Sequence, residues 1–222
     1  MNIKALIAVK ENSARVENKN IRPFFGSNLL ELKLRQLKQI FNDKDIVVNS
    51  ESDKLLSIAE KYNVTTIKRD KKYTKPDVPM SDVYENMAKN IDTDIIAYTN
   101  VTSPLIKDES LTNALNVFRH EYKNGNIDSL VTCRDVKEFL WLDNKPVNYD
   151  PRKQPRSQDL PNILALNFAL SVIPRDLMIK FKNIIGEKPY FYKLSDVESI
   201  DIDTPLDFFV AERLYELRNL ES

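Results

Sequence analysis

Apolar residues in this chain fall into short continuous runs, and each run is followed by a stretch with helical spacing. Residues 3–9 form the first run and predict a strand. Residues 28–41 follow as a helix, with Leu30, Leu34, Leu37 and Phe41 along one face. Further strands are predicted at 45–48, 64–67, 94–98 and 129–133. Between them, helices are predicted at 52–62, with Leu55, Ala59 and Tyr62 on one stripe, from 81 to about 90, and at 108–122. The last of these carries Leu111, Leu115, Phe118 and Tyr122 inward, and Asp108 and Glu109 suit its positive end. A Lys- and Pro-rich loop at 69–79 leads into the third helix. Repeated strand–helix–strand units predict an α/β fold with a doubly wound, mainly parallel sheet. The continuous apolar runs match strands buried on both faces. In such sheets ligands bind beyond the carboxyl ends of the strands, so the segments after each strand are the places to look.

The alternation breaks after Cys133. Residues 139–161 carry Pro146, Pro151, Pro155 and Pro161 among mixed charges and read as a lid-like insertion. Strands resume at 164–173 and 190–194, and Thr204-Pro205-Leu206-Asp207 opens a final helix with a cap residue and a proline at the first helical position. The expectation is one domain over 1–222, with 139–170 as an inserted substrate and dimerisation subregion.

Composition narrows the function. The 222 residues carry 33 Lys plus Arg and 33 Asp plus Glu, a net charge of +0 that argues against a general nucleic-acid binder. No apolar stretch reaches the roughly 18 residues that a membrane span needs. The N-terminal run is too short for a signal peptide, and a cytoplasmic setting is expected. One cysteine, Cys133, and one histidine, His120, exclude an intrachain disulfide and a Cys-rich or His-cluster metal site. With three glycines, the chain has neither of the glycine-rich nucleotide fingerprints.

Four segments carry candidate chemistry. The loop after the first strand holds Lys10, Arg15, Lys19 and Arg22 among Asn12, Ser13 and Asn20. Cations with amide and backbone donors suit a polyphosphate, and a solvated polar loop is the alternative. Asn100-Val101-Thr102-Ser103-Pro104-Leu105 follows the fourth strand and reads as a pocket lining or as a plain turn. Ser199-Ile200-Asp201-Ile202-Asp203-Thr204 puts Asp201 and Asp203 on one side of an extended segment. Paired carboxylates raise each other's ionisation cost unless a cation lies between them, and Mg²⁺ is the natural occupant. The alternative gives Asp203 to the cap of the last helix. Arg152 to Pro161 is basic and Gln-rich, suited to an anionic substrate or to an exposed loop.

Taken in order, these segments resemble the CMP-sialic acid synthetase (acylneuraminate cytidylyltransferase) family. Asn12-Ser13 and Lys19-Asn20 match its first loop, where Lys10 stands for the usual Arg and Ala14 for the usual Lys. Asn100 to Leu105 matches Gln-Pro-Thr-Ser-Pro-Leu, and Arg156 to Pro161 is close to Arg-Gln-Asp-Leu-Pro. Asn167-Phe168-Ala169-Leu170-Ser171 resembles Asn-Gly-Ala-Ile-Tyr, and Ser-Ile-Asp-Ile-Asp-Thr is intact at 199–204. The resemblance implies a nucleotide-diphospho-sugar transferase-like fold and a reaction that couples CTP to a sialic-acid-like nonulosonic acid, with release of pyrophosphate. It implies that Lys10, Asn12, Ser13, Arg15, Lys19, Asn20, Arg69 and Ser81 bind the nucleotide. Lys10, Lys19 and Asp203 would be catalytic. Asn100, Thr102, Ser103, Arg156, Gln158 and Asn167 would face the acidic sugar acceptor. Asp201 and Asp203 would hold Mg²⁺, and the chain would form a homodimer. Three other readings stand beside this one: a cytidylyltransferase for a different acidic acceptor, a glycosyltransferase using an Asp-x-Asp metal site, and a non-catalytic nucleotide-binding relative.

Overall fold

The computed structural model describes residues 1–13 and 15–220, so the substitution at Ala14 lies outside the described residues. The strands are β1 (Ile3–Ala8), β2 (Ile46–Ser50), β3 (Thr65–Lys68), β4 (Ile95–Thr99), β5 (Ser129–Val136), β6 (Trp141–Leu142), β7 (Lys145–Pro146), β8 (Ile163–Pro174) and β9 (Pro189–Lys193). The α-helices are α1 (Leu29–Lys38), α2 (Asp53–Glu60), α3 (Met80–Lys89), α4 (Asp108–Lys123), α5 (Arg175–Phe181) and α6 (Pro205–Leu220). Seven strands form one sheet in the order β3-β2-β1-β4-β8-β5-β9. β8 runs antiparallel to both neighbours, and every other pairing in the sheet is parallel.

Strand alternation explains why the sheet is wound on both sides. Ala5 and Ile7 of β1, with Ile46 and Val48 of β2, pack on α1, α2 and α6 through Leu30, Leu34, Leu55 and Phe208. Their neighbours Leu6 and Val47 point the other way, onto Val83 and Met87 of α3 and Met178 of α5. α4 covers the far half of the first face, where Leu111, Leu115 and Phe118 meet Ala97, Leu130 and Val172.

Two features depart from the simple alternation. α5 is only seven residues long, follows Pro174 directly and ends at Lys182 with φ 51°, too short for a periodic signal. β8 is interrupted where it passes β5: the register jumps from Val131↔Ser171 to Cys133↔Leu166. Phe168 stands at φ 52° in this bulge, at the place where the family motif has glycine. Side chains satisfy the loosened backbone. Ala169 N donates to Asn167 Oδ1 at 3.2 Å, and Leu170 N donates to Thr132 Oγ1 at 3.0 Å.

The insertion begins with the small β6–β7 hairpin. Its turn residues Asp143 and Asn144 both have positive φ, as a tight hairpin turn requires. Tyr149 braces it, packing on Phe139 at 4.8 Å and accepting a hydrogen bond from Trp141 Nε1 at 2.8 Å. The chain rejoins the sheet at Ile163, beside the end of β5.

Candidate active site

The carboxyl ends of β1, β2 and β3 are tied into one platform. Arg69, just past β3, donates from Nη2 to Val9 O at 2.6 Å and to Glu51 Oε2 at 3.1 Å. Glu51 Oε1 accepts Glu11 N at 2.9 Å, and Glu11 Oε2 accepts Ser52 Oγ at 2.8 Å. Asn20 closes the first loop by donating to Lys10 O at 2.8 Å. The loop therefore leaves β1 along a fixed path. Arg69 Nε is buried without a partner among the described residues, one donor still to be satisfied.

Across from that platform lies the acidic segment, whose central peptide is held from both sides. Ile202 N donates to Thr102 O at 2.9 Å, and Ile202 O accepts from Lys19 Nζ at 2.6 Å. The Ile202 side chain is fully buried, so the flanking carboxylates are set by rigid backbone. Asp203 Oδ1 meets Arg15 Nη2 at 2.7 Å and lies 3.7 Å from Lys19 Nζ. The cap of α6 is made without the Asp203 side chain. Asp207 Oδ2 accepts Asp203 N at 3.0 Å and Thr204 N at 2.7 Å, and Thr204 Oγ1 accepts Asp207 N at 3.2 Å. The Asp203 carboxylate is thus left to the cations.

Asp201 is deeper. Burial holds its pKa above the ordinary aspartate value; the Thr102 side chain opposes the rise, Asp203 adds to it, and Lys19 and Arg15 oppose it. Its Oδ1 is buried without a partner among the described residues. Lys19 shows the mirror effect. Burial lowers its pKa, while Asp201 and Asp203 pull it back up. An orphaned carboxylate oxygen beside a second carboxylate fits a divalent cation. Mg²⁺ commonly uses one or two protein carboxylates and takes its remaining oxygens from phosphates and water. Among the described residues no group of three or more His, Cys, Asp or Glu side chains is placed to hold a metal, so a metal here would depend on its substrate.

Two cavities flank this centre. One of about 260 Å³ lies between the first loop and the β4–α4 loop and brings together Lys10, Ser13, Arg15, Lys19, Asn20, Asn100 and Thr102. The other, of about 1010 Å³, opens on the far side of Asp201 between the end of β5 and residues 194–201. Its cations are Arg134 and Lys137, which the sequence pattern did not single out. Lys137 is occupied with Leu160 O at 2.7 Å and Asn162 Oδ1 at 2.8 Å, anchoring the insertion. Among the described residues Arg134 makes only longer contacts, 3.5 Å to Asp135 O and 3.8 Å to Glu138.

The remaining expected residues are more dispersed. Asn12 is exposed on the first loop, Ser81 lies in the first turn of α3, and Ser103 is buried just behind Thr102. Asn167 is buried and bonded through both its amide oxygen and its amide nitrogen. It accepts from Thr132 Oγ1 at 2.6 Å and donates to Ser199 Oγ at 3.0 Å, linking the β8 bulge to the acidic segment. Arg156 and Gln158 are exposed on the insertion, with Arg156 paired to Asp159 at 2.7 Å.

Residues 5–222 match a protein-family model described as cytidylyltransferase. N-acylneuraminate cytidylyltransferase of Oncorhynchus mykiss is 26% identical over 219 residues, an alignment covering 95% of this chain and 50% of that protein. CMP-N,N'-diacetyllegionaminic acid synthase of Campylobacter jejuni is 24% identical over 227 residues, covering 98% of this chain and 97% of that one. The chain thus spans about half the length of the first relative and nearly all of the second. Among solved structures, CMP:2-keto-3-deoxy-manno-octonic acid synthetase complexed with CTP superposes with a TM-score of 0.72 at 11% identity, covering 98% of this chain and 100% of that chain. At that identity the likeness is one of fold.

Proposed function

The chain belongs to the cytidylyltransferase family, and from that membership we propose that it joins CTP to a sialic-acid-like nonulosonic acid, giving the CMP-sugar and pyrophosphate. The observation that carries this reading is the acidic pair, fixed by the two-sided clamp on Ile202, with a cation-lined cavity on one side and a wider cavity on the other. That is the layout a transfer between two anionic substrates needs.

In this reading the CTP phosphates enter the smaller cavity. Lys10, Arg15 and Lys19 neutralise them, and Asn12, Ser13 and Asn20 donate hydrogen bonds from the same loop. Arg69, with its free Nε, and Ser81 bind the nucleoside end. Asp201 and Asp203 would hold Mg²⁺, which would supply charge neutralisation at the phosphates. The acceptor occupies the wider cavity. Asn100 and Thr102 line its approach to the phosphates with Ser103 supporting them from behind, and Asn167 fixes Ser199 on its wall. Arg134 is the cation best placed for the acceptor carboxylate, because its present contacts are long and exchangeable. The acceptor hydroxyl oxygen bonds to the α-phosphorus, the bond to the bridging oxygen breaks, pyrophosphate leaves, and the hydroxyl proton passes to water. Fixed charge and placement carry most of the rate enhancement.

Arg156 and Gln158 are exposed on the insertion and line neither of these cavities. A homodimer gives them a role if the insertion docks on a second copy, and Trp141, Leu142 and Val147 are 56%, 67% and 55% exposed there. Light scattering on the purified protein tests that assembly. Among the described residues no helix is long and apolar enough to cross a membrane, and a cytoplasmic enzyme is proposed.

The test is Mg²⁺-dependent pyrophosphate release from each of the four NTPs with a panel of eight- and nine-carbon sugar acids. Release with CTP and one acid supports the reading and names the acceptor. No release with any pair, alongside measurable CTP binding by calorimetry, favours the non-catalytic relative.

A further inference from the structure

α1 carries an anomaly on its buried face. Leu29, Leu30, Leu34 and Leu37 are buried there, and Lys33 lies among them with 1% of its surface exposed. A leucine at that position would complete the stripe. Burying an amine instead is costly, so it calls for a polar task.

Lys33 Nζ donates to Gln36 Oε1 at 2.6 Å and to Ser103 O at 3.2 Å. The second bond reaches the loop between β4 and α4, the wall of the nucleotide cavity. Other carbonyls of that loop are also held. Thr102 O accepts Ile202 N at 2.9 Å, Leu105 O accepts Arg218 Nη1 at 2.9 Å, and Ile106 O accepts Gln36 Nε2 at 2.7 Å. The loop is suspended between two open spaces. In front is the cavity lined by Asn100 and Thr102; behind, bordered by Lys33, Gln36 and Pro104, is one of about 600 Å³. A loop with space on both sides can sag unless its backbone is tethered.

We infer that Lys33 is a positioning residue for the transfer step: its bond to the Ser103 carbonyl fixes the loop that carries Thr102, and through Thr102 it sets the Ile202 peptide and the Asp201 carboxylate. The inference rests on the nucleotidyl-transfer reading. Lys33 touches neither cavity-bound substrate nor the acidic pair, and it acts through Ser103 and Thr102. The charged groups facing it are Asp108 at the start of α4 and Arg218 on α6, with Arg35 and Lys107 on the rim of the rear cavity. Asp108 is itself engaged by Gln36 Nε2 at 2.8 Å.

The test is Lys33→Met, which keeps the side chain's length and removes the donor. kcat for pyrophosphate release should fall by roughly tenfold to a hundredfold, as expected for a shift of about 1 Å at a reacting centre. CTP affinity by calorimetry should change by less than about threefold, since phosphate charge neutralisation is untouched. Amide exchange across residues 99–106 should speed up, a readout that needs no turnover. Thr102→Val keeps the carbonyl on Ile202 N but removes the hydroxyl that hydrogen-bonds Asp201, the last side-chain link in the same chain of contacts, so the double variant should lose no more than the worse single one. Losses that multiply, or a folded Lys33→Met with wild-type kcat and wild-type exchange, overturn the inference. Should Lys33→Met fail to fold, Lys33→Gln takes its place; failure of both makes Lys33 a folding residue and also overturns it. If the wild-type protein releases no pyrophosphate, the functional reading fails, and the exchange comparison still decides whether Lys33 holds the loop.

Discussion

The buried amine of Lys33 ties stability to pH in a direction that can be worked out. Burial lowers its pKa from the ordinary 10.5 to about 7, with Asp108 opposing the fall and Arg218 adding to it. That fall of about 3.5, at about 1.36 kcal/mol per pH unit, is a penalty of roughly 5 kcal/mol on the charged form in the folded chain. Below pH 7 the lysine is charged both folded and unfolded, so the folded chain carries the whole penalty. Between pH 7 and 10.5 the unfolded chain binds the extra proton, and stability climbs with pH. Above 10.5 both states are neutral and the penalty is gone. Lys33→Met removes this dependence. It also strands the Ser103 and Gln36 oxygens, at a cost of roughly 1–3 kcal/mol each that does not vary with pH. Comparing two pH values cancels that cost. The stability of the variant relative to wild type should therefore be more favourable at pH 6 than at pH 9 by roughly 2–3 kcal/mol. Urea unfolding of both proteins at the two pH values measures it. A difference that stays constant with pH, or that grows toward pH 9, refutes the account of Lys33 as a buried and destabilised cation.

Other variants probe the site more directly. Asp203→Asn should lower turnover by roughly 10²–10³ and leave thermal stability nearly unchanged, because the carboxylate is 43% exposed and plays no part in the α6 cap; steady-state kinetics and calorimetry check both halves. Arg134→Ala should raise the KM for the acceptor by about tenfold to a hundredfold, the worth of one charge-assisted hydrogen bond, and leave the KM for CTP unmoved. Asn167→Leu removes the links to Thr132, Ala169 N and Ser199 and should cost roughly 2 kcal/mol or more, read as a fall in Tm of several degrees.

Much of the sheet was legible because its strands are local apolar runs and its helices carry clear stripes. What the runs do not encode is direction. β8 looks like any other buried strand, and only its neighbours show that it is antiparallel. The bulge at Asn167 and Phe168 is equally silent, since a Phe at positive φ carries no turn signal. The first loop and the acidic segment were legible as chemistry because unlike charges were concentrated in two short stretches. Their meeting, 188 positions apart at Arg15 and Asp203, is a product of topology. Arg134 escaped notice because β5 runs on to Val136 only by pairing with β8, which turns a loop-like tail into a cavity wall. Lys33 left a trace that could have been read. It falls four residues after Leu29 and four before Leu37, on the apolar stripe of its helix.

The central claim is that the α-phosphorus of CTP is transferred to an acceptor oxygen. Phosphorus NMR of a complete reaction with CTP, Mg²⁺ and the responsive sugar acid tests it most directly. The account predicts one new phosphodiester resonance, from CMP joined to the acid, rising in step with free pyrophosphate. Appearance of CDP, or of CMP and pyrophosphate with no phosphodiester, would contradict it.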